Sequence, residues 1–175
     1  MKRSLPYALL IACVVILDQA TKAIVVRSIG LHDYVPLVDG LLSFSHVRNH
    51  GAAFGLLSDW NLPYQSLVLS TLSLLALAAI AAYFVHLPAR ARLPRLALAL
   101  VLGGAFGNVV DRLRLGYVVD FVHVYWRDYQ WPDFNTADSA ITIGVALLVI
   151  DILSSPEPQA HAPAIDTATT AGRTD

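Results

Sequence analysis

Two aspartates, Asp120 and Asp138, flank an aromatic stretch between two long apolar segments. The run Tyr117-Val-Val-Asp-Phe-Val-His123 and the run Trp131-Pro-Asp-Phe-Asn-Thr-Ala-Asp138 put each acid where a solvated loop should meet a membrane-spanning helix. If those helices pack side by side, both carboxylates sit at one face of a bilayer. Two carboxylates sharing a site do not both ionise easily, so one holds a proton and the other accepts one. Such a pair activates a water for attack on an amide while protonating the carbonyl oxygen. A plainer alternative makes Asp138 an N-terminal helix residue favoured by the dipole, and Asp120 a solvated loop acid. The two aspartates alone leave both readings open.

Other polar residues fall inside or beside apolar runs. Asp18 and Lys22 are four apart, so on a helix they share a face in the favourable acid-before-base order. Charges within a span cost about 2.5–3.5 kcal/mol each on insertion scales, so they face the bundle and carry a role, or staple helices as an ion pair. Asn49-His-Gly51-Ala-Ala-Phe-Gly55 puts an amide in a small-residue turn, where Asn49 could bond a substrate backbone and Gly51 permits close approach. Asn and Gly are also ordinary turn formers. In Gly103-Gly-Ala-Phe-Gly-Asn108-Val-Val-Asp111-Arg112 the glycines allow tight helix contact, and three polar residues follow within the span. Arg112 could position Asp111 or a substrate carbonyl, or lower the pKa of a neighbouring carboxylate.

Metal chemistry competes with the acid pair. His46, His50 and His123 fall on the same side as the aspartates, but His46 and His50 lie in an extended segment where a four-residue spacing does not converge. With one cysteine, Cys13, and no His-Glu-x-x-His helix, we read no metal site. The histidines are expected to be solvated loop residues.

The elements that must position these groups are set by composition. Of 175 residues 56% are hydrophobic and 14% charged, against about 25% charged in soluble domains. That surplus points to a membrane protein. Net charge is −1, which gives no global field for nucleic acid. Four segments have spanning length, at about 5–27, 64–86, 94–114 and 136–154. The first follows Met1-Lys-Arg like a cleavable leader, and Leu10-Ile-Ala-Cys13 has the form of a lipidation box. The apolar run nevertheless continues through Val14-Val-Ile-Leu17, so we read a retained helix. Lys2, Arg3, Arg90, Arg92 and Arg95 place both termini in the cytoplasm by the positive-inside rule.

The remaining loops should be structured. Tyr34–Val38 and Leu41–Val47 around Asp39-Gly40 read as two short strands. The aromatic segment 123–134 reads as a short amphipathic turn lying on the bilayer. The predicted fold is therefore an all-α membrane protein of four helices, with a small extracytoplasmic β-sheet element and a short interfacial helix. Residues 1–154 form one membrane-embedded domain, and 155–175 a disordered cytoplasmic tail. A transporter or channel subunit using Asp18, Lys22, Asp111 and Arg112 as a polar pathway, or a non-catalytic scaffold, would share this architecture. No internal repeat favours transport.

Five blocks occur in order: Asp18-Gln-Ala-Thr-Lys22, Asn49–Gly55, Gly103–Arg112, Val119-Asp-Phe121 and Phe134-Asn-Thr-Ala-Asp138. With them the chain resembles the bacterial lipoprotein signal peptidase family, signal peptidase II, over about residues 5–155. The resemblance implies an aspartic endopeptidase of the bacterial plasma (inner) membrane, with its active site at the extracytoplasmic face. It would remove the signal peptide of prolipoproteins before a diacylglyceryl-modified cysteine. It implies Asp120 and Asp138 as the catalytic pair. Asp18, Lys22, Asn49, Gly51, Asn108, Asp111, Arg112, Asn135 and Ala137 match positions that shape the substrate site. Membrane lipids and the cyclic peptide globomycin are implied as further partners, with no cofactor. Nothing requires more than a monomer.

Overall fold

The computed structural model describes residues 4–51 and 65–154. Lys2, Arg3, the end of the Asn49–Gly55 block and the tail 155–175 lie outside the described residues.

Helices α1 (Leu5–Ser28), α2 (Gln65–His86), α3 (Arg92–Leu115) and α4 (Thr136–Ser154) match the four expected spans. At about 1.5 Å per residue the 24-residue α1 and α3 reach about 36 Å, enough for a hydrocarbon core of about 30 Å. Pro6 opens α1 where its missing N–H costs nothing. Gly116 closes α3 in the left-handed conformation, φ 81°, returning its N–H to the Arg112 carbonyl at 3.0 Å. Leu9, Ile16, Ile24, Leu67, Leu75, Ile143 and Ile150 stay exposed on α1, α2 and α4, as lipid-facing surfaces require.

The bundle is organised around α3, which packs against the other three helices. Its small residues decide how close they come. A methyl group on Gly104 would strike the Ala137 carbonyl of α4, and one on Gly107 would lie 2.6 Å from Asp18 Oδ2 of α1. The polar ends of α1 and α4 therefore meet over a glycine face.

At the end shared by the α1 and α3 C-termini and the α4 N-terminus sits an antiparallel sheet of order β1-β2-β3-β4. Its strands are β1 (Tyr34–Val38), β2 (Leu42–Asn49), β3 (Val118–Trp126) and β4 (Tyr129–Gln130). The β1–β2 turn falls on Asp39-Gly40, with Gly40 at φ 76°. A bulge between Phe44 and Val47 breaks the simple alternation of β2, so Ser43, Ser45 and His46 are all buried.

Two expectations are corrected here. The segment 123–134 does not form an interfacial helix: β3 runs through to Trp126 and β4 turns back on it, because Tyr125 and Trp126 pair with Gln130 and Tyr129. Asp120 is not a loop acid. It lies in β3 opposite Val47 and is 1% exposed.

Candidate active site

The register of β2 on β3 sets the surroundings of Asp120. Asn49 faces Val118 and Val47 faces Asp120, so Asn49 and Asp120 share a sheet face as diagonal neighbours. Asn49 Nδ2 donates to Asp120 Oδ2 at 2.8 Å, and its Oδ1 accepts the Gly51 N–H at 2.8 Å. The other oxygen, Oδ1, accepts from Asn135 Nδ2 at 2.6 Å.

Asn135 reaches Asp120 because Phe134 is pinned to β3. The N–H groups of Phe121 and Val122 donate to the Phe134 carbonyl at 3.0 and 2.8 Å, and Phe134 N–H returns to Val122 at 3.2 Å. Asn135-Thr-Ala-Asp138 then forms a capping box on α4. Asn135 Oδ1 accepts the Asp138 N–H at 3.0 Å, while Asp138 Oδ2 accepts the Asn135 N–H at 3.2 Å. One fully buried amide side chain thus holds Asp120 directly and Asp138 through the helix cap.

The second oxygen of Asp138 is oriented from further away. Asn108 Nδ2 donates to Asp138 Oδ1 at 2.8 Å. Lys22 Nζ lies 3.0 Å from Asn108 Oδ1, and an ammonium can only donate. The lysine therefore turns the Asn108 carbonyl toward itself and the NH₂ toward Asp138. Lys22 is in turn held by Asp18 at 2.8 Å and Asp111 at 2.9 Å, all three side chains being buried. Asp18 Oδ1 also accepts the Ala137 N–H at 3.0 Å, satisfying an orphan donor in the first turn of α4. Asp111 Oδ2 accepts the Val119 N–H at 3.2 Å, fixing the strand that carries Asp120.

Of the roles open to Arg112, positioning Asp111 is not the one seen. Asp111 is taken by Lys22, and Arg112 donates instead to the Gly51 carbonyl at 3.2 Å. Two histidines differ from expectation. His46 is buried with Nδ1 2.9 Å from the Ile29 carbonyl, and His123 is buried with Nδ1 3.2 Å from Asp133 Oδ1, while His50 is exposed as expected. Among the described residues no three His, Cys, Asp or Glu side chains converge as a metal site.

Gln19 escaped the sequence reading. Its Nε2 donates to Asp111 Oδ1 at 2.9 Å and lies 3.3 Å from Asp18 Oδ2, bracing both acids that hold Lys22. Its position beside Asp18 within the first motif was the available signal.

Each aspartate opens on a cavity of its own. Asp120 lines a polar cavity of about 310 Å³ with Arg48, Asn49, His50 and Asp133 on its walls. Asp138 ends an apolar one of about 290 Å³ against Trp131, Phe134, Thr142 and Ile143. Burial pushes the Asp120 carboxyl up to about 7, with the nearby charge of Asp138 adding to the rise. The hydrogen bonds from Asn49 and Asn135, and the charge of Lys22, oppose it. A carboxyl so placed exchanges a proton near neutrality, as acid–base chemistry requires.

Comparison with known proteins bears on what such a pair belongs to. The sequence model of the family described as Signal peptidase (SPase) II matches residues 10–154. The chain belongs to the signal peptidase II family. A relative from Geobacter sulfurreducens named lipoprotein signal peptidase is 49% identical over 140 residues, covering 79% of this chain and 85% of its own. One of the same name from Geobacter metallireducens is 44% identical over 153 residues, covering 87% and 93%. A solved bacterial membrane enzyme, determined by the in meso method at 2.3 Å, superposes with a TM-score of 0.76 at 31% identity. It covers 90% of this chain and 94% of its own. As a signal peptidase II family member the chain is a multi-pass membrane peptidase, in line with its four apolar helices.

Proposed function

We propose that this protein is an aspartic endopeptidase that removes the signal peptide from prolipoproteins, cleaving before a diacylglyceryl-modified cysteine. Asp120 and Asp138 are its catalytic pair. The observation that carries this reading is the single side chain of Asn135, bonded to Asp120 and capping the helix that presents Asp138. In this reading Asp120 holds the proton and gives it to the scissile carbonyl oxygen. Asp138 holds the negative charge and takes a proton from the attacking water. Asn49 and Asn108 fix the outward direction of each carboxylate, and the Asp18–Lys22–Asp111 cluster fixes Asn108.

The rest of the assignment follows from the same placement. Residues 1–154 act as one membrane-embedded domain, with 155–175 as a cytoplasmic tail. The basic residues Arg90, Arg92 and Arg95 at the opposite end of the bundle support an orientation with the sheet and the acid pair at the extracytoplasmic face of the plasma (inner) membrane and both termini inside. A substrate whose acyl chains stay in the bilayer presents its scissile bond at that interface, among membrane lipids. Globomycin is expected to compete for the same cavity, and the monomer is expected to suffice. The transporter reading loses support because Asp18 and Asp111 are both tied to Lys22.

The test is processing of a lipidated prolipoprotein by Asp120→Asn and Asp138→Asn, read by gel shift. Loss of the mature band in both variants is expected. Parental-rate processing by either would refute the pair.

A further inference from the structure

Ser45, His123 and Asp133 form a polar cluster in the sheet that the acid–base mechanism leaves unused. Ser45 Oγ donates to Asp133 Oδ1 at 2.6 Å, the length of a charge-assisted bond, about 2.5–2.7 Å. His123 Nδ1 lies 3.2 Å from the same oxygen without aiming a hydrogen bond at it. Its ring is held between Tyr34, edge-on at 5.1 Å, and Tyr125, stacked at 5.3 Å. The residue types are those of a nucleophile relay, but the order is not. The Ser45 proton goes to the carboxylate rather than to the ring, and Ser45 is 0% exposed. The cluster is a tie between chain segments.

What it ties together is specific. Asp133 precedes Asn135 by two residues, in the segment that joins β4 to α4. Along that segment the Trp131 N–H donates to the Val124 carbonyl at 2.8 Å, and Phe134 bonds Phe121 and Val122. Those backbone bonds run to β3, and Pro132 between them has no N–H to give. The Asp133 side chain reaches a different strand. Ser45 lies on β2, four residues before the Asn49 that bonds Asp120 Oδ2. The bulge between Phe44 and Val47 lets Ser45 and His46 both turn inward. Asp120 is thus held by one amide from each segment, and the Ser45–Asp133 bond joins the two segments directly.

We propose that Asp133 is a positioning residue for the acid pair: anchored to β2 through Ser45 and steadied by His123 on β3, it sets the spacing of Asn49 and Asn135 around Asp120. It acts through Asn135. This rests on the peptidase reading above. A misplacement of about 1 Å can cost roughly 100-fold in rate, which bounds the expected effect.

The experiment uses the full-length enzyme and a lipidated prolipoprotein, with kcat, KM and thermal unfolding measured for each variant. Ser45→Ala removes one buried oxygen, and Asp133→Ala removes the anchor itself. Each should lower kcat by roughly 10- to 100-fold with KM nearly unchanged. Asp133→Asn keeps an oxygen for the Ser45 hydroxyl and should retain most of the parental kcat. Ser45→Ala, the milder change, carries the comparison if Asp133→Ala does not fold. The same changes are then made in an Asn135→Ala enzyme. There they should add little further loss of kcat, because the side chain they position is gone, while the melting temperature still falls. Loss of kcat by the same factor in both backgrounds marks a merely structural brace and overturns the proposal. Parental kcat in Ser45→Ala overturns it as well. Neither result touches the peptidase reading, which falls if the parental enzyme leaves the lipidated prolipoprotein uncut.

Discussion

Asn135 Nδ2 lies 2.6 Å from Asp120 Oδ1, while Oδ1 of the same side chain accepts the backbone N–H of Asp138 at 3.0 Å. An asparagine is suited to this position because it donates from one end and accepts at the other. An aspartate there would set a third negative charge against Asp120, and a leucine of similar size would satisfy neither partner. The spacing of the two acids is thus built into one residue and the helix it caps.

Replacing Asn135 tests that link. Asn135→Ala removes a hydrogen bond that favours the charged form of Asp120, so the Asp120 proton should be held more tightly. The alkaline limb of the activity profile should then move to higher pH, alongside a fall in kcat. Loss of a buried cap and of satisfied buried partners should also cost about 1–3 kcal/mol of stability. A merely structural role would lower the melting temperature and leave the limb in place.

The acid pair itself should account for most of the rate. General acid–base catalysis contributes about 10²–10⁴-fold, so Asp120→Asn and Asp138→Asn should each lower kcat by at least about 100-fold. Both proteins should remain in the membrane fraction with parental helix content by circular dichroism.

The pH profile of the parental enzyme follows from the burial of Asp120. Its folded-state value of about 7 lies above the ordinary carboxylate value of 3.8. The proton required by the mechanism is therefore present below about 7 and lost as pH rises through it. Activity should decline on the alkaline side with a midpoint near neutrality, measured on a substrate without titratable side chains near the cut. Flat activity from pH 6 to pH 9 would contradict this assignment.

Lys22 sits between two buried carboxylates, and its removal strands both. Lys22→Met should destabilise the fold by about 3–5 kcal/mol, the typical cost of an uncompensated buried charge. Adding Asp18→Asn and Asp111→Asn should recover much of that stability, because the charges are removed while the Ala137 and Val119 N–H groups keep oxygen acceptors. Activity should stay below parental in the triple variant, because the Asn108 carbonyl then keeps only the 3.2 Å bond from Asn135 Nδ2 to turn it away from Asp138. Thermal unfolding and processing rate, measured together, separate these effects.

Gly107 faces Asp18 with no room for a side chain. A Cβ there would lie 2.6 Å from Asp18 Oδ2, so Gly107→Ala should push that carboxylate off Lys22 and off the Ala137 N–H. A cost of about 1–3 kcal/mol is expected from overpacking, together with reduced processing. Unchanged stability would mean that α1 shifts freely against α3.

The spans were legible because hydrocarbon imposes length and apolarity on each segment independently. The polar motifs were legible because charge inside a span is costly enough to stand out, and Asp18, Lys22, Asn108 and Asp111 do converge. Partner choice was hidden. Spacing left Arg112 several partners, Asp111 among them, but Lys22 from another helix occupies that carboxylate, a contact set by bundle geometry. The strand around Asp120 was hidden for a similar reason, since its pairing with β2 spans some 70 residues of chain. The burial of His46 depends on the β2 bulge, which adds a residue without any glycine or proline to announce it.

The bond from the Ala137 N–H to Asp18 joins residues 119 apart, and this has a consequence for biogenesis. At about 5–20 residues per second, the ribosome needs roughly 6–24 s to produce the second partner after the first. Over that interval α1 enters the bilayer with Asp18 and Lys22 neutralising each other across one helical turn. Asp120 is made before the asparagine that orients it. The nascent chain therefore has no assembled centre until its last helix arrives, and it emerges among other translocating precursors without the means to cut them.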